Sequence, residues 1–160
     1  LELRDDGPFS GAARTVSKRY LAVVRGVVRN DVLRIDAAIG RHAVERKKMS
    51  TRVRGGRAAV TRVRVLERFP KTTFVEAAPE TGRTHQIRVH LAARGHPILG
   101  DGVYGSVRQT DATLIGRHAL HAATLGLVHP TREEAMTFNA ELWPDMIALL
   151  DELRRERDSS

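Results

Sequence analysis

The sequence predicts an α+β fold with a mostly antiparallel mixed sheet and a few flanking helices. Three observations lead to this prediction: short β-type segments recur along the chain, turns connect most of them, and helix signals are clear at only two places. A chain of 160 residues has the length of one domain. Hydrophobic residues make up 41% of it, enough to form a folded core.

Six segments have the alternation or composition of β-strands. In Ala59–Glu67, the side chains of Thr61, Val63 and Val65 fall on one face with the two-residue period of a strand. The other predicted strands are Tyr20–Val24, Val32–Ile39, Thr73–Ala77, Leu120–Val128 and Ala135–Ala140. The most basic stretch, 41–57, ends in two glycines and is predicted to be a loop.

The first predicted helix begins near Thr84, which is a possible N-cap. It ends at Arg94, because Gly95 can take the left-handed conformation beyond a helix and Pro97 prevents its continuation. On this helix Ile87 and Leu91 are four residues apart, so both are predicted to face the core.

The second predicted helix begins at Pro144, a residue that suits the first helical position. Asp145 lies at its positive end, and arginines lie at its negative end, which complements the helix dipole. Met146, Leu150 and Leu153 follow helical spacing, so one face of this helix is predicted to pack on the body of the domain.

The charge balance favours an anionic partner. There are 27 Lys and Arg residues against 19 Asp and Glu residues, giving a net charge of +8. Nucleic acid is the commonest partner of such a chain, although a ribosome-associated or merely soluble basic protein remains an alternative. The absence of cysteine excludes disulfides, thiolate zinc sites and a cysteine nucleophile, and fits a cytoplasmic location.

No segment indicates a membrane partner. No apolar run approaches the roughly 18 residues that span a bilayer, and the acidic start does not resemble a signal peptide. Because the chain begins with Leu1 rather than Met, we expect it to be part of a longer protein.

The chemically informative segment is Glu80–Leu91. A glycine-bearing turn enters a helix whose first turn presents polar side chains and free N–H groups, a combination that predicts an anion site. The polar residues are Arg83, Thr84, His85 and Gln86. Arg88 is predicted to be partly buried and therefore to need a carboxylate partner. An ordinary basic helix with a solvated face is the alternative at this point.

The same segment also carries a family motif. Residues 81–90 read TGRTHQIRVH, and residues 95–105 read GHPILGDGVYG. These runs closely resemble a conserved motif of the RluA/RluD-type pseudouridine synthases. Lys18–Ala22, the region 41–61, Leu120–Ala122 and His129-Pro130 resemble further family segments. The resemblance extends over about residues 13–149, so the expected fold is a partial pseudouridine synthase catalytic core.

The resemblance implies an enzyme that isomerises uridine to pseudouridine in ribosomal or transfer RNA. In that family an Asp attacks the target nucleotide, the glycosidic bond breaks, and the base rotates and rejoins through carbon, without a metal or an organic cofactor. Arg88 resembles the arginine that pairs with this Asp, and Tyr20 resembles the tyrosine that lies against the base. By the same resemblance, Ile87 is expected to supply an apolar wall beside these two side chains.

Further residues are candidates for binding. Contact with the target nucleotide is expected from the polar residues of the first helical turn and the wall residue, namely Arg83, Thr84, His85, Gln86 and Ile87. Contact with RNA phosphates is expected from the basic loop, with Arg41, Lys47 and Lys48 as the candidates. A solvated charged loop is the alternative for these three residues.

The family's nucleophile lies in an R-L-D-x-x-T-[ST]-G motif, which does not occur in these 160 residues. The nearest string is Arg4–Gly11, which offers Asp6 as an alternative nucleophile but stands too close to Tyr20. Asp101 is expected to form a turn rather than to replace the nucleophile. The isolated chain is therefore predicted to be inactive, and a non-catalytic RNA-binding module that retains the fold is the alternative function.

The expected organisation has three parts: a polar N-terminal remnant at 1–14, a partial catalytic domain at 15–157 and a tail at 158–160.

Other chemistries have little support in the sequence. The histidines lack the spacing and the neighbouring ligands of a metal site. No G-x-S-x-G elbow and no Lys-Ser/Thr phosphate loop occur in the sequence.

Overall fold

A computed structural model of the chain describes residues 16–106 and 114–160. The strands are β1 (Val16–Arg25), β2 (Val32–Asp36), β3 (Gly40–Arg41), β4 (Met49–Ser50), β5 (Val60–Arg68), β6 (Thr72–Pro79), β7 (Leu120–Val128) and β8 (Ala135–Asn139). The helices are α1 (Gln86–Ala93) and α2 (Pro144–Asp158). The predicted remnant 1–14 lies outside the described residues.

Six of the strands form one sheet in the order β2-β5-β6-β1-β7-β8, and every pair of neighbours is antiparallel. The predicted α+β class is therefore confirmed. The two central strands are the most apolar: Leu21–Val24 in β1 and Phe74–Val75 in β6 are buried. A strand with neighbours on both edges and layers on both faces needs such a composition.

The register of the sheet determines which side chains share a face with Tyr20. Tyr20 lies opposite Ala77 on β6 and opposite Ala122 on β7. Ala77 in turn lies opposite Val63, and Thr61 is two residues away on the same face of β5. Because the side chains of α1 hydrogen-bond to Thr61, α1 packs on the face that carries Tyr20.

The second helix packs as its sequence predicts. It begins at Pro144 and buries Met146, Leu150 and Leu153, and Leu149 as well. Its last turns are tied to the sheet by Glu67 of β5, which accepts hydrogen bonds from arginines 154 and 157. These bonds hold the pKa of the Glu67 carboxyl below its usual value, against the opposing effect of burial.

Two predicted boundaries are wrong. The predicted strand Val32–Ile39 ends at Asp36, and Ile39 makes an isolated bridge to Arg57 instead. The segment 41–57 is also more ordered than a loop, because β3 and β4 pair as a short hairpin at its start. Met49 of this segment packs against a small cluster of buried residues that includes Ile39, and this contact holds the hairpin against the domain.

The start of α1 also differs from the prediction. His85, not Thr84, is the N-cap, and it has a left-handed backbone (φ 54°) without a side-chain cap. The helix ends as predicted, with Arg94 as C-cap and Gly95 at φ 82°. None of the helices in the described residues is both long enough and apolar enough to cross a bilayer.

Candidate active site

A cavity of about 290 Å³ lies on the face of the sheet that carries α1. Its floor and walls come from β1, the end of β6, the loop before α1, the first turn of α1 and the approach to β7. The lining residues are Lys18, Tyr20, Pro79, Thr81, Arg83, His85, Gln86, Ile87, Arg88, His118 and Leu120. The cavity is therefore polar and cationic on one side, with apolar walls at Ile87 and Leu120.

Arg88 is held at this cavity by a bidentate ion pair with Asp101. Its Nε donates to Oδ2 at 2.8 Å and its Nη2 donates to Oδ1 at 2.9 Å. The Asp101 side chain is fully buried and the Arg88 side chain is 15% exposed. The predicted carboxylate partner of a partly buried Arg88 is thus present within the chain. Because only one edge of the guanidinium is used, the rest of it remains for a ligand in the cavity.

Asp101 also forms the turn that follows it, as predicted. Its Oδ1 accepts hydrogen bonds from the backbone N–H groups of Val103 and Tyr104. Burial opposes ionisation of Asp101, but the bonds from Arg88 and from these N–H groups outweigh it and lower its pKa. The same ion pair raises the pKa of Arg88. Both groups are therefore charged under ordinary conditions.

Gln86 positions the loop that forms one rim of the cavity. Its Oε1 accepts hydrogen bonds from the Thr81 hydroxyl and the Arg83 N–H, and its Nε2 donates to Val60 O and to Thr61 Oγ1. With both ends of the amide occupied by protein and only 4% of the residue exposed, Gln86 acts mainly on the loop.

Two histidines face the cavity as neutral imidazoles near neutral pH. Burial lowers the pKa of His85, and the nearby Arg88 lowers it further, while Asp101 acts in the opposite direction. Burial also lowers the pKa of His118, again with Arg88 as the next largest cause. His85 Nδ1 is 2.7 Å from the hydroxyl oxygen of Tyr104.

The structure brings most of the predicted site residues together. Tyr20 and Arg88 line one cavity with four of the five predicted nucleotide-binding residues: Arg83, His85, Gln86 and Ile87. Thr84 is exposed and is not part of the lining. Its place in the site stays a prediction, and the left-handed backbone of His85 turns the chain between Thr84 and the helix.

The predicted RNA contacts lie on the β3–β4 hairpin, outside the cavity lining. Arg41 and Lys47 are exposed, and Arg41 donates a hydrogen bond to the carbonyl oxygen of Arg46. Lys48 forms an ion pair with Glu45 and lies 5.8 Å from the centre of the Tyr104 ring. The hairpin is therefore connected to the cavity through Tyr104.

Lys18, His118 and Tyr104 are parts of the site that the sequence did not single out as such. Lys18 could have been found from its strand period, because it is two residues from Tyr20 and shares its face. His118 and Tyr104 are distant from α1 in sequence, so only tertiary packing shows that they adjoin it.

The part of the chain that the structure describes contributes no Asp or Glu side chain to the cavity lining. Asp101 lies behind Arg88, fully buried in its pair.

A second groove of about 280 Å³ shares Lys18 and Tyr20 with the cavity and continues across β7 to Phe138. Residues 16–106 and 114–160 also contain no group of three side chains suited to a metal ion.

Comparison with known proteins assigns the family. A family model described as RNA pseudouridylate synthase matches residues 9–93. A ribosomal large subunit pseudouridine synthase D from Nitrosomonas europaea is 43% identical over 92% of this chain and 44% of its own length. An uncharacterised RNA pseudouridine synthase from Bacillus subtilis, YlyB, is 46% identical over 89% of this chain and 46% of its own length.

Solved structures agree with the sequence relatives. Human RNA pseudouridylate synthase domain containing 1 superposes with a TM-score of 0.70 at 30% identity, covering 91% of this chain and 67% of that one. The fold is thus that of RNA pseudouridylate synthases. The chain belongs to the RNA pseudouridylate synthase family, and it spans less than half the length of the two bacterial relatives.

Proposed function

We propose that this chain forms most of the active site of an RNA pseudouridine synthase, an isomerase that converts uridine to pseudouridine in ribosomal or transfer RNA. The observation that carries the proposal is the cavity in which Tyr20 and Arg88 lie together with apolar walls. Because ribosomal and transfer RNA are found in the cytoplasm, a cytoplasmic location is part of the proposal. The proposed reaction needs no metal and no organic cofactor.

The two proposed catalytic residues suit the reaction. The glycosidic bond between C1′ and N1 breaks, the base turns, and C1′ bonds to C5. C5 then releases its hydrogen as a proton, and N1 takes up a proton, so the product is an isomer of uridine. The ring of Tyr20 stacks on a base that has left the RNA helix, and its hydroxyl exchanges a proton with it. Arg88 keeps an attacking carboxylate ionised and oriented, because an adjacent guanidinium lowers a carboxyl pKa.

The remaining residues bind the nucleotide. Arg83 lies at the rim, where its Nε donates to Ala58 O and its charge attracts a phosphate. Ile87 is 6% exposed and supplies the apolar wall for the base. Outside the cavity, Arg41, Lys47 and Lys48 contact the RNA backbone electrostatically, without reading its sequence.

The attacking carboxylate is proposed to come from a segment outside these 160 residues. The cavity lining of the described residues has no acid of its own, and the two bacterial relatives are more than twice as long as the matched region. The missing R-L-D motif also favours a second candidate, a non-catalytic RNA-binding module with the same fold.

One experiment separates the two candidates. RNA labelled with tritium at C5 of uridine releases the label when the base rejoins through C5. The isolated chain is expected to bind RNA without releasing tritium. A fusion of the chain to the N-terminal part of the Nitrosomonas europaea relative is expected to release tritium. A folded, RNA-binding fusion that releases none would favour the binding module.

Tyr20→Phe in that fusion tests the role assigned to the hydroxyl. This change keeps the stacking ring and removes the group that exchanges a proton, so turnover should fall by about 10²–10⁴-fold with little change in RNA affinity. Single-turnover tritium release and filter binding measure the two effects. Undiminished turnover would remove Tyr20 from the proton transfer, and release by the unfused chain would direct attention to Asp6.

A further inference from the structure

The proposed reaction assigns no role to Tyr104, although this residue contacts three parts of the site. It lies three residues after Asp101, and its backbone N–H donates to the Asp101 carboxylate. Its hydroxyl oxygen accepts a hydrogen bond from the backbone N–H of Met49 at 2.9 Å and is 2.7 Å from His85 Nδ1. One side chain therefore connects the Asp101 turn, the β3–β4 hairpin and the start of α1.

The hydrogen bonds at this hydroxyl decide which nitrogen of His85 carries the proton. The Met49 N–H can only donate, so the Tyr104 oxygen accepts there. If His85 Nδ1 also donated, the hydroxyl proton of Tyr104 would have no partner among the described residues. If the hydroxyl donates to His85 Nδ1, all three groups are paired. In a neutral ring the proton then belongs to Nε2.

The Nε2–H group of His85 has no partner among the residues that the structure describes, and the residue lines the cavity. We propose that Tyr104 is a positioning residue that fixes His85 in the Nε2–H form, so that His85 donates a hydrogen bond to an oxygen of the bound nucleotide. That oxygen belongs to a uracil carbonyl or to a phosphate. This inference rests on the proposed function for the identity of the ligand, but not for the state of the ring.

Several contacts hold the Tyr104 ring in place. The guanidinium carbon of Arg88 lies 5.1 Å from the ring centre, and the Lys48 ammonium lies 5.8 Å from it. The His85 and Tyr104 rings meet edge to face at 5.6 Å. His85 also has a left-handed backbone (φ 54°), which is uncommon for a non-glycine residue.

Burial and the neighbouring charges favour the neutral form of His85, which a single-donor ring requires. Burial and the positive charge of Arg88 lower its pKa, while Asp101 opposes them. Lys18, Arg83 and His118 also line the cavity, and Lys48, beside Tyr104, is paired with Glu45 at 3.3 Å. None of these four groups supplies a negative charge that would favour imidazolium. At pH 8 the ring is therefore neutral, and the two tautomers can be distinguished.

The first test measures the tautomer in the chain itself, without RNA or turnover. Histidine labelled with ¹⁵N gives different nitrogen shifts for protonated and unprotonated ring nitrogens, and His85→Gln assigns the resonances. We expect the wild-type chain at pH 8 to show one dominant form with the proton on Nε2. A dominant Nδ1–H form would overturn the proposal, whether or not the enzyme makes pseudouridine.

Tyr104→Phe is the matched variant, because it keeps the ring that Arg88 and Lys48 contact and removes only the hydroxyl. We expect the fraction of the Nδ1–H form of His85 to rise at least about fivefold. The resonances of His96, whose Nδ1 lies 2.8 Å from the carbonyl oxygen of Arg25, are the control and should stay unchanged. An unchanged His85 ratio would contradict the positioning role. If the variant does not fold, a dominant Nδ1–H form in the wild-type chain would still overturn the proposal.

The second test identifies the acceptor oxygen. Uridine, ribose 5-phosphate and inorganic phosphate are titrated separately into the labelled wild-type chain. A shift of the His85 Nε2 resonance with uridine alone indicates a uracil carbonyl, and a shift with the two phosphates indicates a phosphate oxygen. Silence of this resonance in all three titrations would refute the donor role, while the tautomer result would stand. If the tautomer and the titration shift are both as expected but the fusion releases no tritium, the proposed function is contradicted and the role of His85 as a donor is not.

Discussion

At the scale of single residues, the pair of Arg88 and Asp101 carries most of the electrostatic organisation of the site. Asp101 is fully buried, and its two oxygens accept two bonds from Arg88 and two from backbone N–H groups. A buried charge is tolerated only with such compensation. The pair therefore both fixes the guanidinium at the cavity and shapes the turn that carries Tyr104.

Removal of either partner is expected to cost stability because it leaves a charge buried without compensation. Arg88→Met and Asp101→Asn should each lower the free energy of unfolding, Arg88→Met by about 3–5 kcal/mol. The double variant should lose less than the sum of the two, with a coupling energy of about 1–3 kcal/mol. Urea denaturation of the four chains measures this cycle. Additive losses would mean that the two side chains do not interact in solution.

At the scale of elements, the turn between α1 and β7 decides whether Asp101 reaches Arg88. Gly100 has φ 80°, and a Cβ there would stand 2.3 Å from the carbonyl oxygen of Arg117. Gly95 has nearly the same backbone, with φ 82°, but a Cβ there would meet nothing within 4 Å. The two glycines thus separate the cost of the left-handed backbone from the cost of a close approach.

Alanine at each glycine should show this difference. Gly95→Ala should lower the free energy of unfolding by about 1–2 kcal/mol, the cost of a left-handed alanine. Gly100→Ala should cost about 1–3 kcal/mol more, because the backbone oxygen of Arg117 cannot move aside without shifting the turn. Urea denaturation of both variants provides the comparison. Equal losses would show that the turn relaxes freely around the added methyl group.

At the scale of the whole molecule, three histidines that are buried or partly buried make stability depend on pH. Burial lowers the pKa of His85, His90 and His118 below the ordinary 6.5. Between the lowered values and 6.5 the unfolded chain binds more protons than the folded chain, so the unfolding free energy falls as the pH falls. Urea denaturation between about pH 8 and pH 5 should therefore show decreasing stability. Constant or rising stability on acidification would contradict the assignment.

The net charge of +8 belongs to the whole molecule, but its effect on RNA depends on where the charges lie. Replacing Arg41, Lys47 and Lys48 by alanine should weaken RNA binding and reduce the slope of log affinity against log salt by about 2 for a single strand. The control replaces three exposed arginines away from the cavity lining, namely Arg34, Arg132 and Arg155. Equal effects of the two triple variants would indicate attraction without a defined RNA path.

The sequence by itself determined the long strands of the sheet, the second helix and the family. Alternation and apolar content determine strands locally, so β1, β5, β6, β7 and β8 were predicted with shifts of a few residues at their ends. The sequence also indicated that Arg88 and its near neighbours in segment 80–91 belong to one site. These residues are close along the chain, so they stay close in any fold that keeps the helix. The motif 81–105 indicated the family because many positions with fixed spacing agree at once.

Only the tertiary structure decided which distant groups meet. The pairing of Asp101 with Arg88, the contact of Tyr104 with His85 and the arrival of His118 at the cavity join residues from separate elements. The N-cap was also decided by tertiary context, because the left-handed backbone of His85 overrode the local preference for Thr84. Local propensity acts within a few residues along the chain, whereas this cavity is formed by elements that the sheet brings together across the whole domain.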